Sequence, residues 1–243
     1  MRNTSFALAL IFATTAFGGE IFIPAAYRGA GAAGSAWRTE ITISNITTGL
    51  SATPVPTTVT LHRQDGPPLS VAMPLSPMEV ITVPDALHDW FSLENASGLI
   101  RVTWDDAEAR ITTRARIYNV SSGGEYGQGI PGVRVNELLS DHFLPGLSGV
   151  DGNRTNVGVS NPHDQHVMFW VTLYDTSGLS RGAFATSVPP RSYVQFNDIF
   201  AHFQAGPLNA AMVRVTGTDN TLYAYASIVR NDTGDPTFVT PAR

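Results

Sequence analysis

Along most of the chain, apolar and polar residues alternate with a period of two, in runs of four to ten residues. The runs are rich in Val, Ile and Thr and are bounded by Gly, Pro, Asn and Ser clusters, the pattern of half-buried β-strands. Strands are predicted at residues 20–24, 37–45, 55–63, 69–73, 79–83, 99–104 and 110–119. A second set follows at 141–144, 155–161, 166–175, 181–188, 192–196, 211–216 and 221–230. One helical interruption is predicted in each set, at 85–91 and 197–203, each short and preceded by an Asp or Asn able to cap it.

The two sets are copies. Residues 38–45 read RTEITISN and residues 154–161 read RTNVGVSN, an offset of 116 positions. Ile23-Pro24 matches Leu144-Pro145, and Val59-Thr60-Leu61 matches Val171-Thr172-Leu173. Val83, Asp85, Leu87 and Trp90 match Phe196, Asp198, Phe200 and Phe203. Arg101-Val102-Thr103 matches Arg214-Val215-Thr216, Ala115-Arg116-Ile117 matches Ala226-Ser227-Ile228, and Pro131 is aligned with Pro241. A repeat this long exceeds the roughly 20–50 residues of a solenoid unit and fits duplication of a whole domain. The fold class expected is all-β: two tandem, antiparallel, immunoglobulin-sized β-sandwiches, each with one short helix. The expected divisions are a leader at 1–18, copy one at 19–131, a linker at 132–136 and copy two at 137–243.

Strand parity assigns the buried faces. In the run 166–174, Val167, Phe169, Val171 and Leu173 point inward, while Met168, Trp170, Thr172 and Tyr174 point outward. The corresponding outward residues of copy one are Pro56, Thr58, Thr60 and His62. In the last strand, copy one turns Thr112, Arg114, Arg116 and Tyr118 outward, and copy two turns Tyr223, Tyr225, Ser227 and Val229 outward. The copies thus share a core pattern and differ outside. Met168, Trp170, Tyr174, Tyr223 and Tyr225 are the candidate binding residues: an aromatic platform for a protein or glycan partner, or else the surface that packs on copy one.

Composition narrows the compartment. The leader has a basic start at Arg2, a short apolar run at residues 6–13 and small residues at Ala16 and Gly18, as in a secretory signal. No segment approaches the ~20 apolar residues of a membrane span. Charged residues are only 14% of the chain, cysteine is absent, and all 15 basic residues are Arg. The lack of cysteine removes any disulfide framework and favours a bacterial source; the lack of lysine removes Schiff-base and P-loop chemistry. A net charge of −5 offers nothing to nucleic acid.

Local chemistry is sparse. Gly178-Leu179-Ser180-Arg181-Gly182 has the form of a G-x-S-x-G nucleophile elbow, which would make Ser180 the nucleophile of a secreted hydrolase. That motif requires a strand–turn–helix, whereas both flanks here read as strands. His163 and His166 lack further ligands at zinc-like spacing. The Asp-rich turns near residues 105, 151 and 232 lack the full EF-hand series. No catalytic residue, metal ligand or cofactor is therefore assigned.

The segments IPAAYRGAGAAGSAWRTEITISN (residues 23–45), ARIYN (115–119) and EYGQGIP (125–131) resemble a group of uncharacterised secreted bacterial proteins, acidobacteria-like in distribution. Those carry tandem "IPA…GAGG…WRTD…N / RTYN…GTYGQ.IP" repeats. The resemblance implies export and a repeated β-sandwich. It implies no mechanism, and no site residue is carried over. The functional expectation is a secreted, non-enzymatic structural, adhesion or surface-binding protein. A carbohydrate-binding module using the aromatic face is the alternative.

Overall fold

The computed structural model describes residues 18–31, 35–48, 53–121, 124–218 and 221–242; nearly all of the leader lies outside them. The first half contains β1 (Gly19–Ala30), β2 (Ala36–Asn45), β3 (Val55–Arg63), β4 (Leu69–Leu75), β5 (Val80–Val83), α1 (Ala86–Asp89), β6 (Ala96–Trp104), β7 (Ile111–Ser121) and β8 (Gly124–Pro131). The second half repeats the series as β9 (Asp141–Leu147), β10 (Asn153–Asn161), β11 (Val167–Tyr174), β12 (Ser180–Val188), β13 (Ser192–Phe196), α2 (Ile199–His202), β14 (Ala211–Gly217), β15 (Tyr223–Arg230) and β16 (Pro236–Val239).

The sheets repeat as well. In the first half the antiparallel orders are β4-β3-β6-β1 and β5-β2-β7-β8; in the second they are β12-β11-β14-β9 and β13-β10-β15-β16. Register is preserved to the residue. Val59 faces Val102 as Val171 faces Val215. Ile41 faces Ala115 and Val83 as Val157 faces Ala226 and Phe196. Both first strands bulge just after Pro24 or Pro145, where the missing N–H interrupts the ladder. Beyond its bulge β1 continues and pairs Gly29 with Trp37, joining the two sheets of its half into one eight-stranded sheet. β9 stops at Leu147, and its two sheets stay separate.

The repeated RT…SN motif is the fastening of these sheets. Thr39 Oγ1 donates to Tyr27 O at 2.8 Å, and Thr155 Oγ1 donates to Ser148 O at 2.7 Å, tying each second strand to the end of the first. Asn45 Nδ2 donates to Leu75 O at 3.1 Å, and Asn161 Nδ2 donates to Pro189 O at 3.0 Å, tying its other end to the last residue of the fourth strand or the one just after it. All four side chains are fully buried. Buried polar groups persist where they are satisfied in this way.

The apolar sides of the paired sheets meet in one cluster per half. Ile23, Ile41, Ile43, Val59, Leu61 and Ile100 form the first, and Leu144, Val157, Val159, Phe169, Val171 and Val213 the second. Leu87 and Phe200 of the short helices are buried at matching places.

Several expectations are corrected. Among the described residues each half has eight strands, not seven; β8 is polar and Gly-rich, and β16 is only four residues long and begins with Pro, so alternation does not reveal them. The helices span one turn each. Asp85 makes no side-chain cap and instead accepts from Arg28 Nε at 3.1 Å, whereas Asp198 caps α2 through Ala201 N. Because Ala115 faces Ile130 and Ala226 faces Val239, the partner of Pro131 is Thr240, not Pro241. Residues 132 and 133 do not simply link: Val133 bridges back to Phe22, as Ala242 bridges to Phe143.

Candidate functional site

On β11 the inward residues Val167, Phe169, Val171 and Leu173 are buried, as parity requires. Met168 and Trp170 stand on the opposite side, 47% and 44% exposed. Ala185 and Thr216 face Trp170 from the neighbouring strands, and their small side chains leave the indole uncovered. Further along the same face, Arg214 grips Asp141 at two points, Nε to Oδ1 at 2.8 Å and Nη2 to Oδ2 at 2.7 Å. These bonds hold the Asp141 carboxyl below its usual range and raise the Arg214 guanidinium. The guanidinium also lies 5.5 Å from the Phe143 ring centroid. Tyr174, opposite Met212, completes this face and is half-buried. The first half keeps the ion pair, as Arg101 Nε to Glu20 Oε2 at 2.7 Å, but has no aromatic residues on β3.

The expectation of one platform containing all five residues is corrected. β15 belongs to the other sheet, and Tyr223 and Tyr225 are only 7% and 2% exposed because the first half covers them. Hydrogen bonds cross this seam at several points. Ser160 Oγ donates to Pro24 O at 2.8 Å, Gln64 Nε2 to Tyr193 O at 2.7 Å, Ser227 Oγ to Gln128 Oε1 at 2.8 Å, and Asn119 Nδ2 to Gly234 O at 3.1 Å. Tyr225 stacks on Phe238 at 5.3 Å, and burial pushes its hydroxyl well above the usual tyrosine range. One sequence signal did point here. Residues 222–226 read LYAYA, with no polar position, as in strands buried on both faces.

The seam is not completely filled. A cleft of about 530 Å³ opens between the halves, with Tyr27, Trp37 and Gln128 on one wall and Arg154, Tyr193, Gln195 and Tyr225 on the other. Among the described lining residues there is no carboxylate and no histidine. Trp37 is held against Gly31, where a Cβ would come within 2.3 Å of the indole nitrogen. Trp37 and Arg154 stood out in the sequence only as repeat markers. The cleft joins residues more than a hundred positions apart, so no local pattern announces it.

The remaining candidates resolve as local structure. Ser180 opens β12, and the residues after it form a strand and not a helix. The Asp175 carboxylate is engaged by Ser177, Leu179 and Arg181, which hold it at about 2, below its usual range. His202 sits among Phe184, Phe196 and Phe203. His163 and His166 lie in the connection after β10, where Asn161 Oδ1 accepts from His163 N at 3.0 Å. No group of three or more potential metal ligands occurs among the described residues. No described helix is long and apolar enough to cross a membrane.

No family model matches this chain, and no curated protein matches it. The solved structures that resemble it weakly include two from different sources. One is a lectin from Pleurotus ostreatus in complex with GalNAc, with 12% identity, a TM-score of 0.15 and coverage of 93% of this chain and 86% of the lectin. The other is the Amycolatopsis orientalis exo-chitosanase CsxA, with 12% identity, a TM-score of 0.16 and coverage of 90% of this chain and 26% of the enzyme. Likenesses at this level carry no argument about fold or activity, so the reading of this chain rests on its own residues.

Proposed function

We propose that this is an exported, non-enzymatic binding protein. In this reading two immunoglobulin-sized sandwiches, 19–131 and 137–243, form a scaffold, and the outer β11 face of the second engages a partner at the bacterial surface. The observation that carries it is the pairing of Met168 with Trp170: two large apolar side chains, adjacent on one face and nearly half exposed, where the first half has Pro56 and Thr58. Exposed apolar groups concentrated on one face mark contact sites. A repeat that diverges mainly on its outer surface supports one scaffold serving two surroundings.

A protein partner is the first reading. A glycan is the second, favoured by the open indole between Ala185 and Thr216, against which an apolar sugar face can stack. The test is retention of the purified chain on intact cells, extracted matrix and a glycan array, comparing wild type with Trp170→Ala and Met168→Ala. Retention that falls in both variants while the melting temperature holds supports the proposal; equal retention in all three overturns it. Ester hydrolysis is assayed alongside, and turnover that Ser180→Ala abolishes would replace this reading with a hydrolase.

A further inference from the structure

The cleft between the halves has a composition that the exposed face lacks, and its charge is unbalanced. Arg154 lines it, and among the described residues the guanidinium has no carboxylate within ion-pair distance; its Nη1 donates to the neutral Asn231 Oδ1 at 2.6 Å. Its counterpart in the repeat, Arg38, lies 3.6 Å from Asp85. The equivalent carboxylate of the second half, Asp198, has been withdrawn to cap α2, accepting from Ala201 N at 3.3 Å. The duplication therefore left one arginine with its carboxylate and one without. An arginine has five donors in a planar fork suited to a carboxylate, so most of the Arg154 fork remains available.

The rest of the lining limits what could bring that carboxylate. Trp37 and Tyr193 supply aromatic surface, and Gln195 and Asn197 supply amides at the rim. Aromatic faces cover the apolar side of a sugar ring, and amides both donate to and accept from hydroxyls. The volume lies within the roughly 300–1,000 Å³ of small-molecule sites. One arginine, with no lysine anywhere in the chain, is a poor match for a phosphate dianion.

We propose that the cleft between the two halves is a second binding site, independent of the β11 face, for a sugar acid unit of an acidic oligosaccharide. Arg154 holds the carboxylate, Trp37 and Tyr193 flank the ring, and Gln195 and Asn197 bond the hydroxyls.

Isothermal titration of the full chain with a galacturonic acid trisaccharide, and with the matching galactose trisaccharide, tests this. Saturable one-to-one binding of the acidic sugar alone is expected. Arg154→Gln should weaken it about tenfold, the scale of one lost charge-assisted contact. Asn197→Ala, at an exposed rim position, should weaken it less, and Trp170→Ala should leave it unchanged. Unfolding midpoints confirm that each variant is folded. The proposal is overturned by absence of saturable binding, by equal binding of the neutral sugar, or by retention of full affinity in Arg154→Gln. Tighter binding of a short peptide with a free C-terminal carboxylate also overturns it.

Discussion

The Tyr225 ring lies directly over Gly158, its register partner on the adjacent strand; a Cβ at position 158 would fall 2.1 Å from the Tyr225 Cζ. The repeat places Thr42 at the corresponding position of the first half, where its hydroxyl is 3.1 Å from that of Thr82. Loss of the side chain at 158 is thus what lets Tyr225 lie flat and the two halves close. Gly158→Ala should force the ring off its seat and destabilise the chain by about 1–3 kcal/mol, the usual range for overpacking. Urea unfolding measures this, and Gly158→Thr should cost more than Gly158→Ala.

Removing the amide of Asn161 should be felt throughout the second half. Asn161→Ala leaves the buried carbonyl of Val188 and the part-buried carbonyls of Gln165 and Pro189 without this donor, at 3.4, 2.6 and 3.0 Å in the native chain. An unsatisfied buried polar group costs about 1–3 kcal/mol. Asn161→Ala should therefore lower the unfolding midpoint by a few degrees or more, and hydrogen exchange should accelerate first in the 162–166 and 188–191 connections.

Acid should destabilise the protein through His142. This side chain is fully buried, makes no normal hydrogen bond from either ring nitrogen, and packs edge-on to Tyr223 at 6.2 Å. Burial lowers it to about 4, opposed in part by Asp141. The folded state therefore holds the neutral ring while the unfolded chain takes up a proton. The sign follows: stability is complete above pH ~6.5 and is lost as pH falls toward 4, by at most about 3 kcal/mol. The first half has Ile21 at the same register position, opposite Val102 as His142 is opposite Val215. His142→Ile should remove this component and raise the melting temperature at pH 5 more than at pH 8. His62, also lowered to about 4 by burial and by Arg191 and Arg101, will leave a residual slope of the same sign.

The two aromatic groups should separate cleanly in stability measurements. Trp170→Ala removes a side chain that is nearly half exposed and should shift stability by no more than about 0.5–1 kcal/mol. Tyr225→Ala empties a site that is 2% exposed and should cost about 3–5 kcal/mol, as for other large aromatic truncations. Equal costs at the two positions would show that the β11 face is also covered in solution.

What the sequence alone determined was local and periodic. The alternation along residues 55–63 and 167–174 assigned the inward set correctly, because successive strand residues face opposite ways. The RT…SN repeat exposed the duplication, and the strands then repeated in the same order and register. β8 and β16 were missed because pairing with a neighbour, more than alternation of their own side chains, makes them strands.

The tertiary structure alone decided what covers each outward face. Parity turned Trp170 and Tyr225 outward alike; it could not say that one would meet solvent and the other the first half. That outcome depends on which sheet each strand joins and how the two halves meet, relations between residues a hundred positions apart. The cleft with Arg154 has the same origin. Periodicity along one strand records which side is apolar, and only the packing of the halves settles what lies against it.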